Sequence, residues 1–314
     1  MLRPHLVLLV GSALLVSAWA AAVPVVSWPF DQDLAGWNAL DPATATLQIS
    51  RDPAVARPGG DGAAALRYTR TLGGLAGLGV ELKEPLTSGK SLRFWLRTQA
   101  PTLVLLVLNE ADGSSYNTAF FSLAAVWQEI AVNLAEFTLG DDSSDENGKL
   151  DLDQVNSVGL ADAGGLVAKL VESLSLLQPP ELGPQQLWLD DFAVSDEGVE
   201  PRWEVLQPEG RREVRLESFE GLPLQWLILS AAGTEVAYDN QVRHEGELSL
   251  RVRYKLPAGK LLVLLTNPGQ APLGGATRLR FAVRSWVDTT LIVGFKERDG
   301  SQYSAVVPVA ASPD

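Results

Sequence analysis

The sequence predicts an all-β chain, built as tandem antiparallel jelly-roll β-sandwiches with the second copy truncated. Three observations predict it. Apolar residues alternate with period two in short runs, as in Leu92-Arg93-Phe94-Trp95-Leu96-Arg97, which turns one side of a strand toward a core. Asp112-Gly113 and Asp299-Gly300 fall between such runs, where a tight hairpin favours glycine. The third observation is an internal repeat. Residues 92–116 align without gaps on residues 279–303 with 10 identities in 25 positions, where average residue usage gives roughly 2. A repeat constrains the architecture before any single element is assigned.

Composition agrees. A chain of 314 residues suits about two domains. A hydrophobic content of 46% with 20% charged residues is globular. The net charge of −13 argues against nucleic acid as a partner, since phosphate binding needs a basic face. The chain has no cysteine, which removes disulfides, thiolate nucleophiles and the usual zinc sites. Its two histidines are His5 and His244, so a Ser-His-Asp site would have to use His244, which lies in the incomplete copy. No enzyme activity is expected.

In chain order, residues 1–22 read as an export signal. Arg3 gives a positive start, Leu6 to Val16 an apolar core, and Ala18-Trp19-Ala20 and Ala20-Ala21-Ala22 small-x-small cleavage sites. The same stretch is long enough to remain as a membrane anchor. Cleavage leaves no membrane span, and either outcome places the rest in a secreted, periplasmic or cell-surface location. Copy one occupies 25–195, a charged proline-bearing linker 196–213, and copy two 214–314. Further anchors tie the copies together: Phe30-Asp31 with Phe219-Glu220, and Gly62, Leu66 and Arg67 with Gly246, Leu250 and Arg251.

Within copy one, Leu92 to Arg97 and Ile130 to Leu134 alternate as half-buried strands. Thr102 to Leu108 is apolar on both sides and suits a central strand. Leu187 to Val194 closes the copy. One segment breaks the period: Leu166, Val167, Leu170, Val171, Leu174 and Leu177 follow helical spacing up to Pro179-Pro180. A short helix capping one end of the sandwich is expected there. At the 187-residue offset Asp314 lies opposite Trp127, so copy two lacks counterparts of the closing strands. The expectation is a fragment of a longer protein with apolar sheet exposed in copy two.

The order of these elements resembles a known group. Phe30-Asp31 precedes Trp37; a Gly-x-x-x-Leu strand and Leu-Arg-Phe-Trp-Leu-Arg follow. An Asp-Gly hairpin with Tyr116 comes next, then Trp127-Gln128-Glu129-Ile130, Asp151-Leu152-Asp153-Gln154-Val155 and Leu187-Trp188-Leu189-Asp190-Asp191-Phe192. This is similar to the galactose-binding-like jelly roll of carbohydrate-binding modules, in the neighbourhood of family 11. It also resembles the domain of the complex I intermediate-associated proteins. The resemblance covers copy one and part of copy two. It implies a non-catalytic module and a structural Ca2+ between the first and last strands, held by Asp31 with Asp190 or Asp191, and by Glu220 in copy two. Calcium takes six to eight oxygens, so backbone carbonyls would have to join them. The alternative for Asp190-Asp191 is a solvated strand end.

The candidate sugar platform is the outward row Arg93, Trp95 and Arg97. An indole covers the apolar face of a pyranose, and guanidinium forks donate to hydroxyls or a uronate carboxylate. Glu110 and Tyr116, on strands read as neighbouring, would join the row, and Trp37 would stand at a cleft edge. Trp127 and Trp188 read as packing residues. Copy two has Ala282 in place of Trp95 and should bind less well. Asp145 to Asp151 resembles part of a calcium loop. Aligned on Gly148, an EF-hand would begin at Ser143 and end at Gln154, which removes two charged ligands and favours a solvated acidic turn.

The leading expectation is therefore an exported non-catalytic protein that binds a polysaccharide or cell-surface glycan. The alternatives are a cell-surface structural or protein-interaction sandwich, and an accessory part of a longer glycoside-active enzyme. Fold alone does not choose among them.

Overall fold

The computed structural model of the chain describes residues 24–172, 180–200, 203–220, 226–229, 234–266, 268, 271–297 and 301–312. The expected export signal lies outside these residues, as do Leu174, Leu177, Pro179 and Asp299-Gly300.

The described residues up to 195 form twelve strands: β1 Pro24–Trp28, β2 Asn38–Ala39, β3 Ala45–Ser50, β4 Ala63–Arg70, β5 Ala76–Glu81, β6 Ser91–Thr98, β7 Thr102–Glu110, β8 Ser115–Ser122, β9 Gln128–Asn133, β10 Thr138–Leu139, β11 Val155–Asp162 and β12 Gly183–Ser195. They make two six-stranded antiparallel sheets. The first has the order β3-β4-β12-β6-β9, with β1 pairing β12; the second has the order β10-β8-β7-β11-β5-β2. Counting β4 to β9, β11 and β12 as eight successive strands, the sheets read first-eighth-third-sixth and fifth-fourth-seventh-second. That is the double Greek key of a jelly roll.

The core lies between the sheets, and the period-two pattern feeds it from both. Leu92, Phe94 and Leu96 of β6 face Val104, Leu106 and Leu108 of β7, all buried. The expected central strand, β7, is central: β8 and β11 flank it. Asp112-Gly113 turns the β7–β8 hairpin, with Gly113 at φ 95°, a backbone angle that only glycine adopts cheaply.

The expected helix exists as α1, Gly164–Glu172. Its buried side is Val167 and Val171, whereas Leu166 and Leu170 are exposed. Asp162 caps its start by accepting from the Gly164 N–H at 2.7 Å. Gly164 and Gly165 let it sit against the loop after β4, because a side chain at Gly165 would strike the carbonyls of Thr71 and Gly74.

The second half holds β13 Glu204–Leu206, β14 Glu213–Arg215, β15 Trp226–Leu229, β16 Glu235–Asp239, β17 Ser249–Arg253, β18 Val263–Thr266, β19 Thr289–Lys296 and β20 Gln302–Val309. Among the described residues they pair only two by two: β13–β14, β15–β18, β16–β17 and β19–β20. Strand β13 falls inside the expected linker. Val167 and Val171 of α1 pack with Leu103, Leu227, Leu229 and Val263, while Phe121 packs with Ile228 and Trp226. The β15–β18 ribbon therefore rests on one end of the second sheet's outer face. Leu279 to Arg284, expected to repeat β6, lies in no ladder. The reason is physical: β6 is hydrogen-bonded by β9 and β12 on its two sides, and no such partners flank 279–284 among the described residues. No described helix is long and apolar enough to cross a membrane.

Candidate functional site

The expected row exists on the outer face of the first sheet. Asp190, Trp95 and Glu129 stand opposite one another on β12, β6 and β9, and Trp188 stands opposite Arg97. Antiparallel partners project to the same side, so indole, carboxylate and guanidinium groups share this surface.

A loop covers it. Arg57 lies over Trp95 with its guanidinium carbon 5.3 Å from the ring centroid, its Nε donates to Asp190 at 2.7 Å, and a second nitrogen donates to Asp191. Val55 packs with Trp188 and Trp127, and its carbonyl accepts from Trp127 Nε1 at 2.9 Å. Arg97 stacks over Trp188 at 5.7 Å. The indole expected to be an open platform therefore already carries a cation. Burial pushes the carboxyls of Asp190 and Asp191 above the ordinary range, against the opposing pull of Arg57.

Three other candidates do not join the row. Glu110 and Tyr116 belong to β7 and β8 of the opposite sheet and are buried. Glu110 instead accepts from Ser114 Oγ and the Asp151 N–H. Tyr116 sits in the core with its hydroxyl on Asp145. Trp37 is 1% exposed and packs edge-on against Trp28, Phe30 and Phe192, with centroids 5.0–5.8 Å apart. It is a core residue, not a cleft edge.

The calcium ligands suggested by resemblance do not fit a cage in this arrangement. Arg57 takes both Asp190 and Asp191, and the Asp31 carbonyl accepts from Arg51 at 2.7 Å. Among the described residues no three acidic or imidazole groups converge as a metal site. The loop 143–154 is held by its own turns. Asp145 accepts from Tyr116 and from the N–H groups of Asn147 and Lys149, bonds that hold its carboxyl below the usual range, the Tyr116 hydroxyl contributing most.

The outer face of the second sheet is partly open: Gly79, Leu105, Val107 and Asn117 are half-buried, while Gly77, Gly159 and Ala161 are buried. One row crosses all six strands: Asn38, Gly79, Gly159, Val107, Asn117 and Thr138. The next row holds Gly77, Ala161, Leu105 and Ala119, and the one on the other side Glu81, Ser157, Asn109 and Ser115. Leu105 and Val107 are half-buried and belong to no buried cluster. Toward β11 and β5 the side chains shrink to hydrogen or methyl, at Gly159, Ala161, Gly79 and Gly77. A Cβ at Gly159 would meet nothing nearer than a backbone oxygen at 3.7 Å. Leu40 leans over Gly77 and Gly79 at one rim. Asn109 Nδ2 donates to Ser157 Oγ at 2.9 Å and fixes a polar border. The six strands span roughly 24 Å at about 4.8 Å per spacing. The result is a shallow apolar floor with amides and hydroxyls along its edges. The signal for it in the sequence is the alternation Gly77-x-Gly79 with Gly159 inside strand patterns, which marks a place kept clear of side chains.

No family model matches the chain, and no curated protein does. Among solved structures it is similar to the family 11 carbohydrate-binding module of a cellulosomal cellulase of Clostridium thermocellum. That match has 13% identity and a TM-score of 0.41, and covers 58% of this chain and 99% of that one. It is similar too to a xylan-binding domain from Paenibacillus barcinonensis, at 12% identity and a TM-score of 0.34, covering 57% and 97%. A third likeness is to an exo-β-agarase, at 11% identity and a TM-score of 0.39, covering 56% of this chain and 26% of that enzyme.

One buried polar network remains. Arg70 and Tyr68 of β4 both donate to Asp162 of β11, Arg70 Nη2 at 2.6 Å, and all three are at least nine-tenths buried. The pair joins the first sheet to the second at the α1 end. Every polar group in it is matched within the fold, which suits a fastening more than chemistry.

Proposed function

We propose that the chain is a non-catalytic glycan-binding protein whose ligand lies across the outer face of the second sheet. The observation that carries this is the row Gly79–Gly159–Val107–Asn117, where two glycines leave the sheet low beside the half-buried Leu105 and Val107. Ring C–H faces rest on the two apolar residues, while Asn109, Asn117, Ser157 and Thr138 exchange hydrogen bonds with sugar hydroxyls. Burying roughly 100 Å² of apolar surface at about 25 cal/mol per Å² contributes about 2.5 kcal/mol. Affinity is then weak, between about 1 mM and 1 μM. The export reading of residues 1–22 belongs to the same proposal, since a cell-wall or extracellular polysaccharide is reached only by an exported protein.

A second reading keeps the ligand on Trp95, and Arg57 favours it by marking an indole that accepts a stacked partner. Binding there requires the 51–61 loop to move. Calorimetry of the full chain against soluble β-glucan, xylan, agaro-oligosaccharide and galactan separates the two. Val107→Asp is expected to weaken binding at least tenfold, with Trp95→Ala unchanged. Loss with Trp95→Ala and retention with Val107→Asp would move the site to the first sheet. No binding of any neutral glycan sinks both.

A further inference from the structure

We propose that the outer face of the first sheet carries an anion site, in which Arg67 and Arg97 hold the carboxylate or sulfate group of an acidic sugar. This site is separate from the floor of the second sheet and does not depend on it.

Two rows of that face build the site. Thr46, Arg67, Gln186 and Gln99 stand side by side on β3, β4, β12 and the residue that follows β6. Gln48, Ala65, Trp188 and Arg97 form the row beside them. Partners in an antiparallel ladder project to one side, so these side chains share a surface. None of them is acidic, in a chain whose net charge is −13. Arg67 and Gln99 are exposed, while Arg97 and Gln186 are half-buried. The register sets the two arginines on either side of Gln186, about 10 Å apart across the strands and about 7 Å along them. Two long side chains at that separation can lean toward one group from opposite sides.

The state of these arginines points to the ligand. Elsewhere in the same sandwich Arg57 and Arg70 are ion-paired, and Arg51 donates to the Asp31 carbonyl. Arg67 and Arg97 form no ion pair or hydrogen bond among the described residues. Arg97 is nevertheless fixed in place. Its guanidinium lies 5.7 Å over the ring of Trp188, which is 7% exposed and packed by Ala65 and Val55, and its Nε is buried with no acceptor. A desolvated donor of a cation left without an acceptor costs stability, and an arriving oxyanion removes that cost. A guanidinium fork matches the paired oxygens of a carboxylate or a sulfate. Around the arginines, Thr46, Gln48, Gln99 and Gln186 offer donors and acceptors together, which suits the hydroxyls that surround the charged group of a sugar. The exposed members of both rows are polar, so the patch seats an acidic sugar better than the apolar side chains of an acidic peptide.

The test is calorimetry of the full chain against polygalacturonate for the carboxylate, dextran sulfate for the sulfate ester, neutral dextran and polyglutamate. Saturable binding of at least one acidic polysaccharide, and none of dextran, is expected; the one that binds names the charged group. Affinity should fall about tenfold between about 50 and about 300 mM salt. Arg67→Gln should weaken binding about tenfold and Arg97→Gln at least as much. Arg67 is exposed, so its variant separates lost binding from lost folding. Lys90→Gln removes an exposed cation next to the other end of β6 and should change nothing. No binding of either acidic polysaccharide overturns the proposal. An equal loss with Lys90→Gln, which would mean general charge attraction, overturns it too, as does polyglutamate binding more tightly than both. Failure of neutral glycans to bind the second sheet would leave these outcomes unaffected.

Discussion

Arg57 and Trp95, 38 positions apart, form a stacked pair that is also an ion-pair hub: the guanidinium lies 5.3 Å from the indole centroid and holds Asp190 at 2.7 Å. Removing it strands a carboxylate whose side chain is 1% exposed. Arg57→Ala should therefore cost about 3 kcal/mol at neutral pH, read from urea unfolding of the full chain. The pH dependence has a definite sign. Burial raises the carboxyls of Asp190 and Asp191 in the fold, so their contribution is intact below the ordinary carboxylate value of about 4 and is lost as pH rises through the raised one. The Arg57→Ala penalty should be small near about pH 3.5 and full near about pH 7. A pH-independent penalty would show that the stack, not the charge, matters.

Asp162 collects Tyr68, Arg70 and the first N–H of α1. Asp162→Asn keeps the shape but presents an amide to a buried guanidinium. Its expected cost is about 3–5 kcal/mol, with protease cutting appearing near residues 164–172. Stability unchanged within about 0.5 kcal/mol would remove this network from the account of how the sheets are joined.

Gly165 has no room for a methyl group, which would meet two backbone carbonyls. Backbone yields less than a side chain, so Gly165→Ala should cost about 1–3 kcal/mol despite the gain in helix propensity. Gly113→Ala is the matched control at the hairpin, where space is open and only the positive φ opposes the change. A smaller loss is expected there, about 1 kcal/mol.

Three of the five tyrosines resist ionisation. Burial is the first cause for Tyr68, Tyr116 and Tyr238, reinforced by Asp162, Asp145 and Glu217 respectively. Raised groups of this kind help the fold below their ordinary value of about 10 and withdraw that help as pH rises through the raised one. At about pH 11 the native chain should show a clearly smaller phenolate absorbance than the same chain in denaturant. Equal absorbance would mean these hydroxyls are open to solvent.

The strands were legible because each half-buried strand writes its pleat into the sequence. Leu92, Phe94 and Leu96 point inward as their alternation requires, and Thr102 to Leu108 reads as central because both its sides are apolar. What alternation does not encode is which sheet a strand enters. Glu110 follows Arg93 by only 17 positions, yet the chain crosses the core between them. Trp37 reads as a loop residue because it follows the first strand outside any alternating run, yet it is buried by Phe30, Trp28 and the distant Phe192. Helical spacing likewise marked both stripes of α1 as apolar. The choice of Val167 over Leu166 follows from where β15 and β18 come to rest, at Leu227 and Val263, far along the chain from the helix. The low floor on the second sheet was hardest to read, since part of it is made of side chains that are missing.

Strand β12 carries a last consequence, for the timing of folding. It pairs with β1, β4 and β6, so the earliest described strand of the first sandwich is fastened by its final one, Pro24 opposite Ser195. Closing that loop costs chain entropy that local hairpins such as β7–β8 do not incur. During synthesis the hairpins can form as they emerge, but the first sheet stays in two pieces until residues 183–195 are free. Assembly of the sandwich should therefore wait on one late segment, and a ribosome stalled before it should hold a chain that is collapsed but still readily cut by protease.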